Sequence, residues 1–576
     1  MERVGNSEIA RMFEEIADLL EIEDAGTFRV RAYRTAAGTL RGLGEEVRDM
    51  RRHGEPLTGL PGIGRDLAGK IEEALETGSM RALDELHAQI PIGLEQLLRL
   101  PGLGPKRVRA LYFQLGIEDP DGLRAAAEEG RVHQLPGFGE KTERRLLEAL
   151  TTRREKKPQL ARALAVAHAE ALVAHLRSAP GVARAVIAGS YRRGKDTIGD
   201  LDLLAVAADP DGALNRFFSY PHIAQPGARG PTRAAAVLDD GLQVDLRVVP
   251  PSSFGAALHY FTGSKAHNIQ VRRLGQQQGL KINEYGVFRG ERRVAGETEE
   301  SVFAAVQLPF IPPELREGQG EIAAAREGRL PLLVEHGDLL GDLHCHTNAS
   351  DGRADLKAMA LAAKARGLHY LAITDHSQSL TLVHGLGEQR LRAQMEAIDA
   401  LNQELDGITL LKGSEVDILE DGSLDLPDPV LRDLDLVVAS VHTRVRLSRR
   451  QQTERVLRAM DNRYFSIMAH PGGRLRPERE GYAIDLDRVL RRAQERGCFM
   501  ELNSAPKRLD LTDHFCRRAR ELGVLVAIST DSHRPEDFDN LHFGVTQARR
   551  GWLEKGDVLN TRPLRELRRL LRGTFL

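Results

Sequence analysis

The sequence predicts a multidomain α and α/β chain: an all-helical N-terminal third, a mixed α/β middle and a C-terminal barrel of seven strand–helix units. Three observations predict it. An L-P-G-x-G motif recurs three times in the first third, a G-S-x-R-R-G turn precedes a G-D-L-D-L-L strand in the middle, and seven short apolar runs punctuate the last third. At 576 residues the chain exceeds what a single core supports. Its 41% hydrophobic and 28% charged residues are those of a globular protein.

The N-terminal motifs are L-P-G-I-G (60–64), L-P-G-L-G (100–104) and L-P-G-F-G (135–139), each set between helical patterns. Gly62, Gly64, Gly102, Gly104, Gly137 and Gly139 let the backbone turn tightly and bring amide N–H groups to an anion at a helix N-terminus. A net charge of −2 argues by itself against nucleic-acid binding. Amide donors, however, need no excess of Lys and Arg.

The middle segment reads V-A-R-A-V-I-A-G-S-Y-R-R-G-K-D-T-I-G-D-L-D-L-L, a strand, a phosphate-binding turn and a second strand. Asp200 and Asp202 alternate on that strand and so face the same way. Asp245 sits in the apolar strand L-Q-V-D-L-R-V-V. Three converging carboxylates suit Mg²⁺, a hard ion that also takes substrate phosphates. Gly189 and Ser190, with Arg192 and Arg193, offer amides, a hydroxyl and guanidinium groups to a triphosphate. The combined pattern points to nucleotidyl transfer.

The seven C-terminal runs are G-D-L-H-C-H, L-A-I-T-D-H, L-L-K-G-S-E, V-V-A-S-V-H, F-S-I-M-A-H, F-M-E-L-N and V-A-I-S-T-D-S-H. Six of them supply His344, His346, Asp351, His376, Glu415, His442, His470, Asp531 and His533. F-M-E-L-N offers only Glu501 and Asn503, which stay outside the set. In a closed parallel barrel the C-terminal strand ends converge on one face. His344 and His346, two apart on a strand, reach the same side, as do Asp531 and His533. Imidazole mixed with carboxylate suits Zn²⁺, Mn²⁺ or Fe²⁺ better than Mg²⁺ or Ca²⁺. Nine ligands exceed one ion's coordination, so two or three ions are expected, a cluster suited to phosphate ester hydrolysis.

Cys345, Cys498 and Cys516 make neither a disulfide framework nor a zinc pair, which assigns a reducing cytoplasm. The start, M-E-R-V-G-N-S-E, has no signal-peptide pattern, and no apolar run is long enough to span a membrane. T-T-R-R-E-K-K-P (151–158) reads as a hinge, and the Pro- and charge-rich stretch 309–331 as a partly extended linker. The Arg-rich end, R-P-L-R-E-L-R-R-L-L-R, reads as an amphipathic closing helix whose basic face is solvated or, in the competing reading, touches DNA. The expected domains are 1–90, 91–155, 156–250, 251–317, a linker at 318–337, and 338–576.

The three N-terminal units resemble helix-hairpin-helix motifs, which grip the DNA backbone without reading sequence and would take K⁺ or Na⁺ at the hairpins. Residues 1–317 resemble family X DNA polymerases of the beta type, a match strengthened by Y-F-T-G-S (260–264) and I-N-E-Y-G (282–286). Residues 338–576 resemble the PHP (polymerase and histidinol phosphatase) family through G-D-L-H-C-H, T-D-H, G-S-E, V-H, A-H-P and T-D-S-H, in that order. The whole is similar to bacterial family X DNA polymerases, monomeric gap-filling enzymes of base excision repair in the nucleoid, with gapped or primer–template DNA and dNTPs as partners.

That resemblance implies two Mg²⁺ ions on Asp200, Asp202 and Asp245, with Asp245 beside the primer 3′-hydroxyl, and two-metal in-line displacement. It implies that Ser190, Arg193 and Gly199 hold the β/γ-phosphates. Tyr260, Phe261 and Gly263 would line the sugar pocket, and Asn268 and Arg272 would lie near the nascent pair. Lys265 stands where the vertebrate enzyme has an acid, a cation that would either help hold the nucleotide or face solvent. In the distorted PHP barrel one ion would take His344, His346, Glu415 and Asp531, a second Asp351, His376 and His533, and a third Glu415, His442 and His470. The implied second activity is a 3′→5′ exonuclease, extending to 3′-end cleaning and abasic-site cleavage. Lys70 matches the Schiff-base nucleophile of deoxyribose-phosphate lyases, although Asp66 replaces a neighbouring lysine. The competing readings are a phosphatase of small metabolites and a non-catalytic scaffold.

Overall fold

Up to Thr151 the chain is helical, and strands enter only beyond it. The computed structural model describes residues 5–575 except 24, 44–45, 53, 90–93, 95–96, 99, 101, 152–159 and 477–478. Residues 152–158 of the expected hinge therefore lie outside the described residues. The chain divides into two units, Met1–Lys157 and Pro158–Leu576.

In the first unit the three motifs fold into one repeated turn. Ile63 N donates to Leu60 O (3.1 Å), Leu103 N to Leu100 O (3.1 Å) and Phe138 N to Leu135 O (3.0 Å). Gly62, Gly102 and Gly137 sit at φ 76°, 89° and 87°, a region open to glycine at no steric cost. Buried Ile63, Leu103 and Phe138 anchor the turns in the helical core. The helices Arg65–Thr77, Pro105–Leu115 and Glu140–Thr151 follow. Gly64 and Gly104 cap the first two without a side chain, which leaves first-turn N–H donors open to an outside acceptor.

In the second unit the helix Arg162–Arg177 leads into a five-stranded sheet built from β1 (Val182–Ile187), β2 (Asp200–Ala207), β3 (Ile223–Gly230), β4 (Arg233–Leu238) and β5 (Gln243–Val248). The order is β1-β2-β5-β4-β3, with β2 and β5 parallel and the other neighbours antiparallel. Period-2 alternation sends Leu201, Leu203, Val244 and Leu246 into the core and leaves Asp200, Asp202 and Asp245 on the opposite face. Beyond lie the helices Phe254–Thr262 and Lys265–Gln277 and an antiparallel sheet of β6 (Lys281–Asn283), β7 (Gly286–Arg289) and β8 (Arg292–Ala295).

The stretch expected to be a linker is folded. Pro313–Leu315 forms a 3₁₀ turn and Glu321–Arg326 a helix. Leu315, Ile322, Ala324, Ala325 and Leu333 share one core with Val271, Phe303 and, from the barrel region, Trp552. The charges that suggested solvent are paired inside. Arg316, fully buried, donates to Glu299 Oε1 (2.6 Å) and Ile311 O (2.8 Å), with its guanidinium 5.0 Å from the Phe303 ring centroid. Glu321 meets His267 Nδ1 at 2.8 Å, both completely buried.

The barrel strands are β9 (Gly341–Cys345), β10 (Tyr370–Ile373), β11 (Thr409–Asp417), β12 (Leu436–Ser440), β13 (Ile467–Met468), β14 (Phe499–Asn503) and β15 (Val526–Ser529), parallel and in sequence order. Closure is made beyond β15, where Asp531 N donates to His344 O (3.0 Å) and His346 N to Ser532 O (2.8 Å). Leu343, Tyr370, Leu411, Val438, Ile467 and Ala527 fill the interior, so it is a packed core. Leu567 and Leu571 of the closing helix Leu564–Thr574 join that core, while Arg565, Arg569 and Arg572 stay exposed. The expected closing helix is therefore solvated on one face and structural on the other. All three cysteines are free and buried. Among the described residues no helix is long and apolar enough to cross a membrane.

If residues 313–326 are core, Arg316→Ala removes one of the two guanidinium partners of Glu299 and the donor to Ile311 O, and lowers stability by about 1–3 kcal/mol. Urea unfolding of the full chain measures this; a tether would tolerate the change.

Candidate functional sites

Register places the carboxylates of the sheet. Asp202 stands directly across from Asp245 on parallel β2 and β5, and Asp200 lies two residues earlier on the same face. All three are half-buried. Gln243 Nε2 donates to Asp245 Oδ2 (2.8 Å) and fixes its rotamer. The turn Gly189–Arg192 leaves β1 against this pair, with Ala188 N donating to Asp202 O (2.7 Å). Gly189 has φ 62°, and a Cβ there would lie 2.1 Å from Asp202 Oδ2. Only glycine lets the turn come this close to the carboxylate.

The remaining nucleotide-site candidates gather around this turn. Gly199 directly precedes Asp200 on the way into β2. Arg193 Nη1 donates to Thr262 O (2.5 Å), beside Gly263, and Arg192 donates to Thr262 Oγ1 (2.7 Å) and to Glu299. Asn268 Nδ2 donates to Tyr260 O (2.7 Å), Arg272 Nε to Asn268 O (3.4 Å), and Arg247 lies 5.2 Å from the Phe261 ring centroid. Lys265 is exposed at the start of its helix. Lys70, in the first unit, forms an ion pair with Asp66.

The nine barrel residues converge, as the strand-end pattern requires. Three groups bring ligand atoms within 4.8 Å of one another: His344, His346, Glu415 and Asp531; His346, Asp351, His376 and His533; and His376, Glu415 and His442. The first is the expected quartet, and the second adds His346 to the expected trio. In the third, His376 takes the place given to His470, which instead joins through Glu415 at 2.9 Å. Glu415 is the hub, with His344, His346, His376, His442 and His470 nitrogens at 3.3, 3.5, 3.0, 3.3 and 2.9 Å.

Burial opposes ionisation of Glu415, but His442, His376 and His344 hold its carboxyl well below the usual range. Burial likewise opposes charge on His376, which Glu415 and Asp351 carry up to about 10. Asp351 and Asp531 carry His533 up to about 9 against the same cost. These imidazoles hold protons where a cation would otherwise serve. His346 Nδ1, His376 Nδ1, His442 Nε2 and His470 Nδ1 are buried without an aligned hydrogen-bond partner. Orphaned nitrogens around an ionised carboxylate fit divalent ions.

A further layer aims these ligands. Glu501 Oε1 accepts from His344 Nδ1 (2.7 Å), and its Oε2 accepts from His470 N (2.7 Å). Asn503 Nδ2 donates to Glu501 (3.2 Å) and Asp531 (3.1 Å). Asp417 accepts from His442 Nδ1 (2.7 Å), and Arg508 Nε donates to Asp531 Oδ2 (3.1 Å). Asp375 accepts from Thr347 N (2.8 Å), Ser350 Oγ (2.5 Å) and Gln394 Nε2 (2.5 Å), and so steadies the segments bearing His346, Asp351 and His376. Such partners set the direction of His344, His442 and Asp531. Residues 501 and 503 carry the period-2, strand-end signature in sequence. Asp417, two residues beyond Glu415, carries it too, whereas Asp375 and Arg508 carry no comparable signal. Cys345 points away from the site, its Sγ donating to Ala372 O (3.3 Å).

The chain matches known families in four places. Residues 4–80 match a helix-hairpin-helix domain, 94–152 a SAM-like helix-hairpin-helix tandem, 257–317 the DNA polymerase beta thumb and 342–505 the PHP domain. It is 37% identical over 572 residues to the DNA polymerase/3′-5′ exonuclease PolX of Bacillus subtilis, covering 98% of this chain and 99% of that protein. A probable phosphatase of Acetivibrio thermocellus is 32% identical over 204 residues, 33% of this chain and 78% of that protein. DNA polymerase lambda of Rattus norvegicus is 29% identical over 292 residues, 45% of this chain and 48% of that protein. Matched along almost its full length to a protein that carries both a polymerase and an exonuclease, the chain belongs to the PolX family of family X DNA polymerases.

Proposed function

We propose that the chain fills short gaps in DNA at the Asp200–Asp202–Asp245 site and removes nucleotides from 3′ ends at the barrel cluster. The observation that carries the reading is the pairing, in one chain, of two differently built sites. One is all carboxylate beside a phosphate-binding turn, and the other is mixed imidazole and carboxylate. Mg²⁺ on the three aspartates would lower the barrier to attack by the primer hydroxyl and stabilise departing pyrophosphate. The protein's own part is positional. Gln243 orients Asp245, Gly189 holds the turn against Asp202, and the amides and Arg193 receive the triphosphate.

At the barrel, divalent ions held by the nine ligands would activate water and neutralise a phosphodiester. Zn²⁺, Mn²⁺ and Fe²⁺ are the ions this donor set favours. The same hydrolysis serves 3′-end cleaning and abasic-site cleavage. The three hairpins supply sequence-independent grip on the DNA backbone through their exposed amides, with K⁺ or Na⁺ as bridging ions. Lyase chemistry is assigned to Lys70, which must first leave its ion pair with Asp66. We place the protein in the cytoplasm, on DNA, as a monomer.

A gapped duplex incubated with Mg²⁺ or Mn²⁺, with and without dNTPs, should show both extension and shortening of the primer. Asp200→Ala should abolish extension and spare shortening, while His344→Ala with His346→Ala should do the reverse. Persistent shortening in the histidine variant would contradict the barrel assignment.

Glu501→Gln keeps the ligands but loosens His344, so metal affinity or exonuclease rate should fall by about 10–100-fold with polymerisation unchanged. Wild-type rates at saturating metal would count against the orienting role.

Because protons occupy His376 and His533 in the metal-free chain at neutral pH, an incoming ion must displace them. Apparent metal affinity should therefore rise with pH between 6 and 8, by about tenfold per unit for each proton displaced. Calorimetry in buffers of different ionisation enthalpy reads the released protons, and no proton release would refute the linkage.

A further inference from the structure

The turn that receives the triphosphate is braced from the barrel. Arg550 ends the helix Leu541–Arg550, which packs against β14 and β15, and its side chain is 3% exposed. Its Nη1 donates to Arg193 O (2.8 Å) and Glu317 Oε1 (2.9 Å), and its Nη2 to Asp513 Oδ2 (2.6 Å). Glu317 Oε1 also accepts from Arg193 Nε (3.0 Å). One residue of the barrel therefore holds the main chain of Arg193 and shares the carboxylate that its guanidinium contacts. Three residues on, Asp196 accepts from Arg474 Nη2 (2.6 Å) and Arg476 Nη1 (3.1 Å), both from the loop after His470.

The charges give this contact a consequence. Glu317 lies in a half-enclosed site where burial disfavours its charge, and Arg193, Arg550 and Lys195 keep it ionised. A carboxylate 3.0 Å from Arg193 competes with any phosphate for the same guanidinium. Arg550 offsets that negative charge, which leaves the positive charge of Arg193 available to a triphosphate, and it fixes the backbone of the turn at the same time.

We infer that Arg550, a residue of the barrel module, is a positioning residue for the incoming nucleotide at the polymerase site. It acts through Glu317 and Arg193. The inference rests on the assignment of the Gly189–Arg193 turn to the triphosphate. It extends that reading by making the barrel a working part of the polymerase as well as a second enzyme.

The test is single-nucleotide gap filling by the full chain with Mg²⁺, reading KM for the dNTP apart from kcat. Arg550→Ala should raise KM by about tenfold, the scale of a lost charge-assisted contact, with kcat within about twofold. Primer shortening at the barrel should be unchanged. Adding Glu317→Gln removes the competing charge and should return most of the lost affinity, which a merely structural role for Arg550 would not allow. Arg550→Lys should fall between. An unchanged KM in Arg550→Ala, or no recovery in the double variant, overturns the proposal. Arg193→Ala separates the two levels. If it leaves KM unchanged, the triphosphate assignment fails; if it raises KM while Arg550→Ala does not, only the present inference fails. Should Arg550→Ala not fold, Arg550→Lys and Asp196→Asn, which unhooks Arg474 and Arg476 from the turn, are read the same way. Wild-type KM in both then overturns it.

Discussion

Glu415 is ionised in the buried centre of the barrel mouth, with five imidazoles within 3.5 Å. A carboxylate in that setting is tolerated only if positive charge surrounds it. Either the imidazoles carry protons or metal ions replace them. Seven parallel strands in sequence order bring ligands from residues 344 and 533, far apart in the chain, onto one face. Glu501 and Asp417 then fix the directions in which His344 and His442 point.

The polymerase half depends on a different economy of charge. Asp200, Asp202 and Asp245 lie together because parallel register sets Asp202 across from Asp245. Two arginines of the adjoining turn are engaged with acids, Arg192 with Glu299 and Arg193 with Glu317. These pairs tie the nucleotide turn to the thumb and, through Arg550, to the barrel. Partly buried ion pairs therefore join the Gly189–Arg193 turn to the barrel module at Arg550 and Asp513.

Much of this was legible in the sequence because it rests on local periodicity. Alternation along a strand placed Asp200 with Asp202 and His344 with His346. Repetition of L-P-G-x-G gave three like turns, and the strand-end pattern gave the nine residues that converge in the barrel mouth. What escaped was set by tertiary partners. Arg316, Glu317 and Glu321 read as solvated linker charges, because their partners Glu299, Arg550 and His267 lie 17, 233 and 54 residues away. Glu501 and Asn503 occupied the right strand end but aim ligands instead of joining the metal-facing groups, a distinction that only geometry makes. His470 shared the expected site yet meets it through Glu415, since the fold and not the spacing decides which nitrogens come together.

The most direct test of the central claim is anomalous diffraction from crystals of the full chain grown with Mn²⁺ or Zn²⁺. The account predicts two or three anomalous peaks in the barrel mouth, with Glu415 shared between ions that also meet His344, His346 and Asp531 on one side and His376 and His442 on the other. A barrel without anomalous density at saturating metal, its imidazoles still facing an unshared Glu415, would contradict it.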